Sequence, residues 1–216
     1  MKKTFLILTV LGIGITQTSI ANIYENQELS EIINSMGTST FDRNAFEFKA
    51  TQDGANKGKP GSQYNLGLLY QEGKGVRQDY SKAIEWYEKS ANQGYSDAQY
   101  NLGLLYQEGK GVRQDYPKAI KWYEKSANQG NGYAQYNLGL LYQEGKGVRQ
   151  DHPKAIKWYE KSANQGYSSA QHALGVIYYN GRGVRQNSAT AKEWFGKACD
   201  NGEQMGCDAY RMMNKK

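Results

Sequence analysis

Two histidines, two cysteines and a recurrent glycine-rich loop are the features of this 216-residue chain whose type and spacing suggest chemistry. His152 stands where Tyr80 and Tyr116 stand in otherwise identical stretches, and His172 stands where Tyr64, Tyr100 and Tyr136 stand. Each is therefore a variant at a position that the other copies fill with tyrosine, which suits a surface or interface side chain better than a catalytic base. No Ser-His-Asp or Cys-His arrangement accompanies either one. The loop "GKGVRQ" lacks the G-x-x-x-x-G-K-[ST] pattern that cradles phosphates, and it closes a helix instead of opening one. No catalytic residue, cofactor or metal is expected, and the chain reads as non-enzymatic.

The cysteines depend on compartment, which the N-terminus addresses. Lys2 and Lys3 precede an apolar run, Phe5 to Ile15, and the small and polar residues of Thr16 to Ala21 follow. Ser19 and Ala21 suit the −3 and −1 positions of a cleavage site, so residues 1–21 read as a secretory signal peptide. The run is too short to cross a bilayer core of about 30 Å, so no stable membrane insertion is expected after cleavage. The periplasm is the first location to expect, with full secretion as the alternative. In an exported chain the even cysteine count of "ACDNGEQMGCDAY" favours a Cys199–Cys207 disulfide. Closing so short a loop is worth about 2.5 kcal/mol in the chain-entropy model. A metal site is the weaker alternative, because no histidine lies nearby and two thiols do not close a zinc site.

The formal charge of +6 falls to +4 once Lys2 and Lys3 are removed. Acidic and basic residues are well mixed, so the clustered basic face that a nucleic-acid partner requires is not expected.

The elements that hold these residues repeat. "NLGLLYQEGKGVRQDY" runs from Asn65 to Tyr80, recurs unchanged from Asn101, and recurs from Asn137 with His152 as its last residue. Leu66, Leu102, Leu138 and Leu174 are 36 residues apart, as are Gly67, Gly103, Gly139 and Gly175, and Trp86, Trp122, Trp158 and Trp194. A fixed period of this size marks a solenoid or a propeller. Ala98, Leu102, Leu105 and Tyr106 fall at helical spacing, predicting a helix over 97–108. Gly109 and Gly111 break it, Asp115 caps a second helix, and Pro117 fits that helix's first turn. Nothing alternates at period two, so a propeller is excluded. Gly103 costs a helix about 1 kcal/mol relative to alanine. Close approach of a second helix, with Trp122 and Tyr123 buried against it, is the expected compensation. One pair cannot bury its own apolar face, so neighbouring pairs must stack.

"AQYNLGLLYQEGKGVRQDYPKAIKWYEKSANQG" resembles a Sel1-like repeat, a relative of the tetratricopeptide repeat. The resemblance rests on the A-x-x-x-L-G-x-x-Y helix, the G-x-G-V loop, the capping Asp and the K-A-x-x-W-Y helix. It implies an all-α fold, a right-handed α/α superhelical solenoid that serves as a protein-interaction scaffold. Units are expected over 62–97, 98–133, 134–169 and 170–205, with a capping segment over 206–216. Residues 22–61 depart from the pattern. Asn22 to Thr40 reads as a short helix or mobile lead-in, and "FDRNAFEFKATQDGANKG", with Phe41, Phe46, Phe48 and an Asp42 cap, reads as a degenerate repeat half. Asn187 takes the place of the capping Asp in the last unit, and Phe195 that of Tyr. The C-x₇-C spacing also resembles cysteine-rich secreted relatives that carry such a bridge in every repeat, whereas only the last unit has it here. Some of those relatives have been described as penicillin-binding proteins or β-lactamases. The S-x-x-K and K-T-G motifs of that chemistry are absent from this sequence.

In tetratricopeptide repeats the first helix of each pair lines the concave face. Carried over, that geometry turns ladders of side chains inward: Tyr64, Leu68, Gln71 and Glu72, then Tyr100, Leu104, Gln107 and Glu108, then Tyr136, Leu140, Gln143 and Glu144, with His172 at the fourth rung. A protein or peptide partner would lie along them, tyrosine offering rigid amphipathic area at low entropic cost. The alternative partner is a cell-envelope polymer, peptidoglycan or an anionic glycan. It would meet a basic edge made of Lys74, Arg77, Lys110, Arg113, Lys146, Arg149, Arg182 and Arg185.

Overall fold

The computed structural model describes residues 43–215, so the signal peptide, the 22–40 lead-in, Phe41 and the Asp42 cap lie outside the described residues. Ten helices and no strand are found among the described residues. They are α1 (Arg43–Asn56), α2 (Pro60–Glu72), α3 (Tyr80–Asn92), α4 (Ser96–Glu108), α5 (Tyr116–Asn128), α6 (Gly132–Glu144), α7 (His152–Ala163), α8 (Ser168–Asn180), α9 (Ser188–Asp200) and α10 (Gln204–Asn214). Each full pair thus opens two residues ahead of the unit boundaries drawn from the sequence, a change of phase and not of period.

Local signals set these bounds. Gly109 closes α4 in the left-handed region at φ 70°, where a side chain would be strained, and its N–H returns to the Leu105 carbonyl. Asp115 opens α5 by accepting a hydrogen bond from the Lys118 N–H at 2.9 Å, and Asp79 and Asp151 do the same for α3 and α7. Asn187 fills that role for α9, accepting from the Thr190 N–H at 3.1 Å.

Packing explains the helical glycine. A Cβ on Gly103 would meet Tyr123 Cδ1 and Cε1 at 2.5 Å, so the tyrosine ring lies directly on the α4 backbone. Gly67 seats Tyr87, Gly139 seats Tyr159 and Gly175 seats Phe195 in the same way. Tyr123 is 0% exposed, and burying an aromatic of that size contributes on the order of 3 kcal/mol, which outweighs the propensity loss. Trp122 departs from expectation. It is only half-buried, packing partly against the core while Lys125 Nζ lies 4.0 Å from its ring centre and covers the rest.

Buried amides tie neighbouring pairs together. Gln99 Nε2 donates to the Ala91 carbonyl at 3.0 Å, its Oε1 accepts from Gln129 Nε2 at 2.7 Å, and the Ser126 hydroxyl donates to the Ser96 carbonyl at 2.8 Å. The set recurs at Gln135, Gln165 and Ser162. Among the described residues, no buried side-chain nitrogen or oxygen lacks a partner.

The ends are half-pairs. α1 sits where a second helix belongs: Gln63 Nε2 donates to the Ala55 carbonyl at 3.3 Å, and Phe48 meets Tyr70 edge-on at 5.5 Å. α10 takes the place of a first helix and is joined to α9 by the expected Cys199–Cys207 disulfide. Arg211 stands 36 residues beyond Gly175, so α10 lacks the glycine that seats an aromatic ring in each preceding first helix. Along the stack, α4 touches α6 directly and α8 touches α10.

Candidate functional site

Tyr64, Tyr100 and Tyr136 are half-buried on the first helices of their pairs, each one turn before the glycine of its helix. Their rings lie 5.8, 5.9 and 5.8 Å from those of Tyr87, Tyr123 and Tyr159, so a fully buried ring backs each one. His172 keeps the fourth place, 5.6 Å from Phe195. The amide of Asn101, one pair further along, lies within reach of the Tyr64 and Tyr87 hydroxyls, and Asn137 stands likewise to Tyr100 and Tyr123. Burial raises the pKa of Tyr64, Tyr100 and Tyr136, so they present neutral hydroxyls near neutral pH.

The other ladder residues sit differently. Leu68, Leu104 and Leu140 are half-buried. Gln71, Gln107 and Gln143 are internal braces, their Oε1 atoms accepting from the Tyr87, Tyr123 and Tyr159 hydroxyls at 2.9, 3.1 and 3.3 Å. Glu72, Glu108 and Glu144 are exposed at the helix ends, and the last two pair with Lys110 and Lys146 at 2.8 and 2.7 Å. Lys74 pairs with Glu47 at 3.1 Å. Every lysine of the basic edge is thus matched by a carboxylate, while Arg77, Arg113, Arg149, Arg182 and Arg185 remain exposed. Lys146 and Arg182 flank His152 in an open recess of about 500 Å³ at that edge.

Three further tyrosines, not picked out from the sequence, extend this row of rings. Tyr95 stacks 5.2 Å from Tyr64, Tyr133 lies 5.8 Å from Tyr100, and Tyr167 meets Tyr133 edge-on at 4.7 Å. Tyr100, Tyr133, Tyr136 and Tyr167, with Asn137 and Gln165, line a recess of about 600 Å³. The sequence carried a signal for it. "NGYAQ" at 131–135 breaks the near-identity of "YSDAQ" at 95–99 and "YSSAQ" at 167–171, placing a tyrosine where Asp97 and Ser169 stand.

Nothing in this arrangement pairs a nucleophile with a base. Among the described residues, no group of three His, Cys, Asp or Glu side chains is placed to hold a metal, and no helix is long and apolar enough to cross a membrane. What the face offers is rigid aromatic area edged by amides.

The Sel1 repeat family model matches four consecutive stretches, residues 60–95, 96–131, 132–167 and 168–203. The chain belongs to the Sel1 repeat family. Its members typically act as protein-interaction scaffolds. Among solved structures, this Sel1 repeat chain is similar to a protective antigen present in uropathogenic Escherichia coli strains and displaying an SLR fold. The two are 39% identical with a TM-score of 0.73, over 74% of this chain and 34% of the antigen. The chain thus spans about a third of that relative's length. It is also similar to a Sel1 repeat protein from Oxalobacter formigenes, at 33% identity and TM-score 0.72, over 89% of this chain and 78% of that one. Cysteine rich protein B of Helicobacter pylori is 27% identical with a TM-score of 0.50, over 61% of this chain and 94% of its own. No curated protein matches the chain.

Proposed function

We propose that this Sel1 repeat chain is an exported, non-enzymatic adaptor that holds a protein or peptide partner along the inner face of its first helices. The observation that carries the reading is the row Tyr64, Tyr100 and Tyr136. Each ring is half-exposed and backed by a buried aromatic, so little side-chain entropy remains to be lost on binding. The N-terminal signal pattern of residues 1–21 supports export, with the periplasm as the destination.

The chain and a Tyr100→Ala/Tyr136→Ala variant of unchanged helicity are to be used as bait in extracts of the producing cell. A protein retained by the native face and lost by the variant is the expected result. Identical material on both baits would remove the inner face from consideration. N-terminal sequencing of the chain from the periplasmic fraction tests export: Asn22 should be the first residue, and an intact Met1 there would refute cleavage.

A further inference from the structure

The repeats are almost identical along the solenoid, so a place where they differ on one face is informative. The inner recess at the third unit is such a place. Tyr133 replaces Asp97 and Ser169, and at 56% exposed it projects further than any other described tyrosine. Gly132 makes the cluster possible, because a Cβ there would run into the Tyr167 ring, which leans across the start of α6 to meet Tyr133 edge-on. The change thus brings Tyr100, Tyr133, Tyr136 and Tyr167 around one recess.

Two properties of this recess point to its ligand. The first is charge. The walls carry amides and hydroxyls but no basic or acidic side chain, and two carboxylates are tied to residues in or beside them. Asp97 is held by the Asn131 amide at 3.1 Å, two residues from Tyr133. Glu203 accepts from the hydroxyl of Ser169, itself a lining residue, at 3.3 Å. Beyond burial, the larger cause, the field of Asp97 helps to raise the pKa of Tyr167 and that of Glu203 helps to raise the pKa of Tyr136.

The second property is the contrast with the aromatic rings elsewhere on the chain. Lys89, Lys125, Lys161 and Lys197 lie 3.7 to 4.3 Å over Trp86, Trp122, Trp158 and Trp194. Tyr70, Tyr106 and Tyr142 likewise each have a lysine over the ring. Among the described residues, no cation stands over the four rings of the recess. Aromatic faces are negative, and a cation set over them is attracted. An anionic ligand would be repelled by both carboxylates, and a neutral one would make no use of them.

We infer that the recess of Tyr100, Tyr133, Tyr136 and Tyr167 is a subsite for a cationic side chain, a lysine or arginine of the partner polypeptide. The ammonium or guanidinium group sits among the four rings, and Asp97 and Glu203 balance its charge. This rests on the reading of the inner face as a peptide-binding surface and adds the chemistry that selects the peptide.

The test uses the full chain against four immobilised pools of decapeptides, with Lys, Arg, Gln or Glu fixed at the centre and the flanks randomised. The Lys and Arg pools are expected to retain about tenfold more chain than the Gln pool, the scale of one cation–π contact at a partly exposed site. The preference should disappear with Tyr133→Ser, whose exposed ring can be removed without opening the core. It should shrink with Asp97→Asn/Glu203→Gln and weaken as salt is raised. Equal retention of the Gln pool would overturn the cationic subsite while leaving a peptide-binding face. Lys and Arg preference that survives Tyr133→Ser would place the cation elsewhere and equally overturn it. Retention of no pool at all would count against the peptide-binding face itself.

Discussion

Gly103→Ala is expected to destabilise the chain, against the ordinary preference of helices for alanine. On propensity alone the change gains about 1 kcal/mol. The added methyl, however, would lie 2.5 Å from Cδ1 and Cε1 of Tyr123, a ring that is 0% exposed and hemmed in by the neighbouring helices. Forcing a methyl into a filled site costs about 1–3 kcal/mol. The ring has no solvent to move into, so the upper end applies and the net loss is about 2 kcal/mol. The decisive comparison repeats the substitution in a Tyr123→Val background, which removes every ring atom the methyl would strike. There Gly103→Ala should raise stability by about 1 kcal/mol, the bare propensity term. Urea unfolding followed by far-ultraviolet circular dichroism measures all four corners of the cycle. A rise in stability in the native background, or the same sign in both, would refute the account of the glycine. The inner face should register the clash too, because the Tyr100 ring rests 5.9 Å from Tyr123.

Two further outcomes follow from the ends and from the buried rings. Cys199→Ser/Cys207→Ser should lower stability by about 2.5 kcal/mol, the chain-entropy value for a loop this short. The loss should show first as faster amide exchange in α10, where Gly206 alone is buried; unchanged exchange there would show that packing and not the disulfide holds the cap. Burial lifts the pKa of Tyr87, Tyr123 and Tyr159 well above the ordinary 10.0. The unfolded chain therefore loses these protons first, so stability should be level below about pH 10 and fall as pH rises beyond it. An unfolding midpoint unchanged between neutral and strongly alkaline solution would contradict that assignment.

The sequence by itself determined the unit and its repetition. The 36-residue step, the helical spacing of Ala98, Leu102 and Leu105, the glycine breaks and the Asp115 cap are local signals, each legible without knowing what lies across the stack. The disulfide was legible because its two cysteines are eight residues apart at the junction of two helices. Tertiary structure decided what each polar or aromatic position faces. Tyr123 and Trp122 are neighbours of similar character, yet one is sealed against Gly103 and the other half-buried beneath Lys125, since helical rotation of about 100° per residue turns them to different partners. Gln99 is polar yet lies buried, because a carbonyl eight residues back and a glutamine 30 residues on converge upon it. The recess around Tyr133 depends on rings from three successive pairs, and the distances that bring them together arise only when the pairs stack.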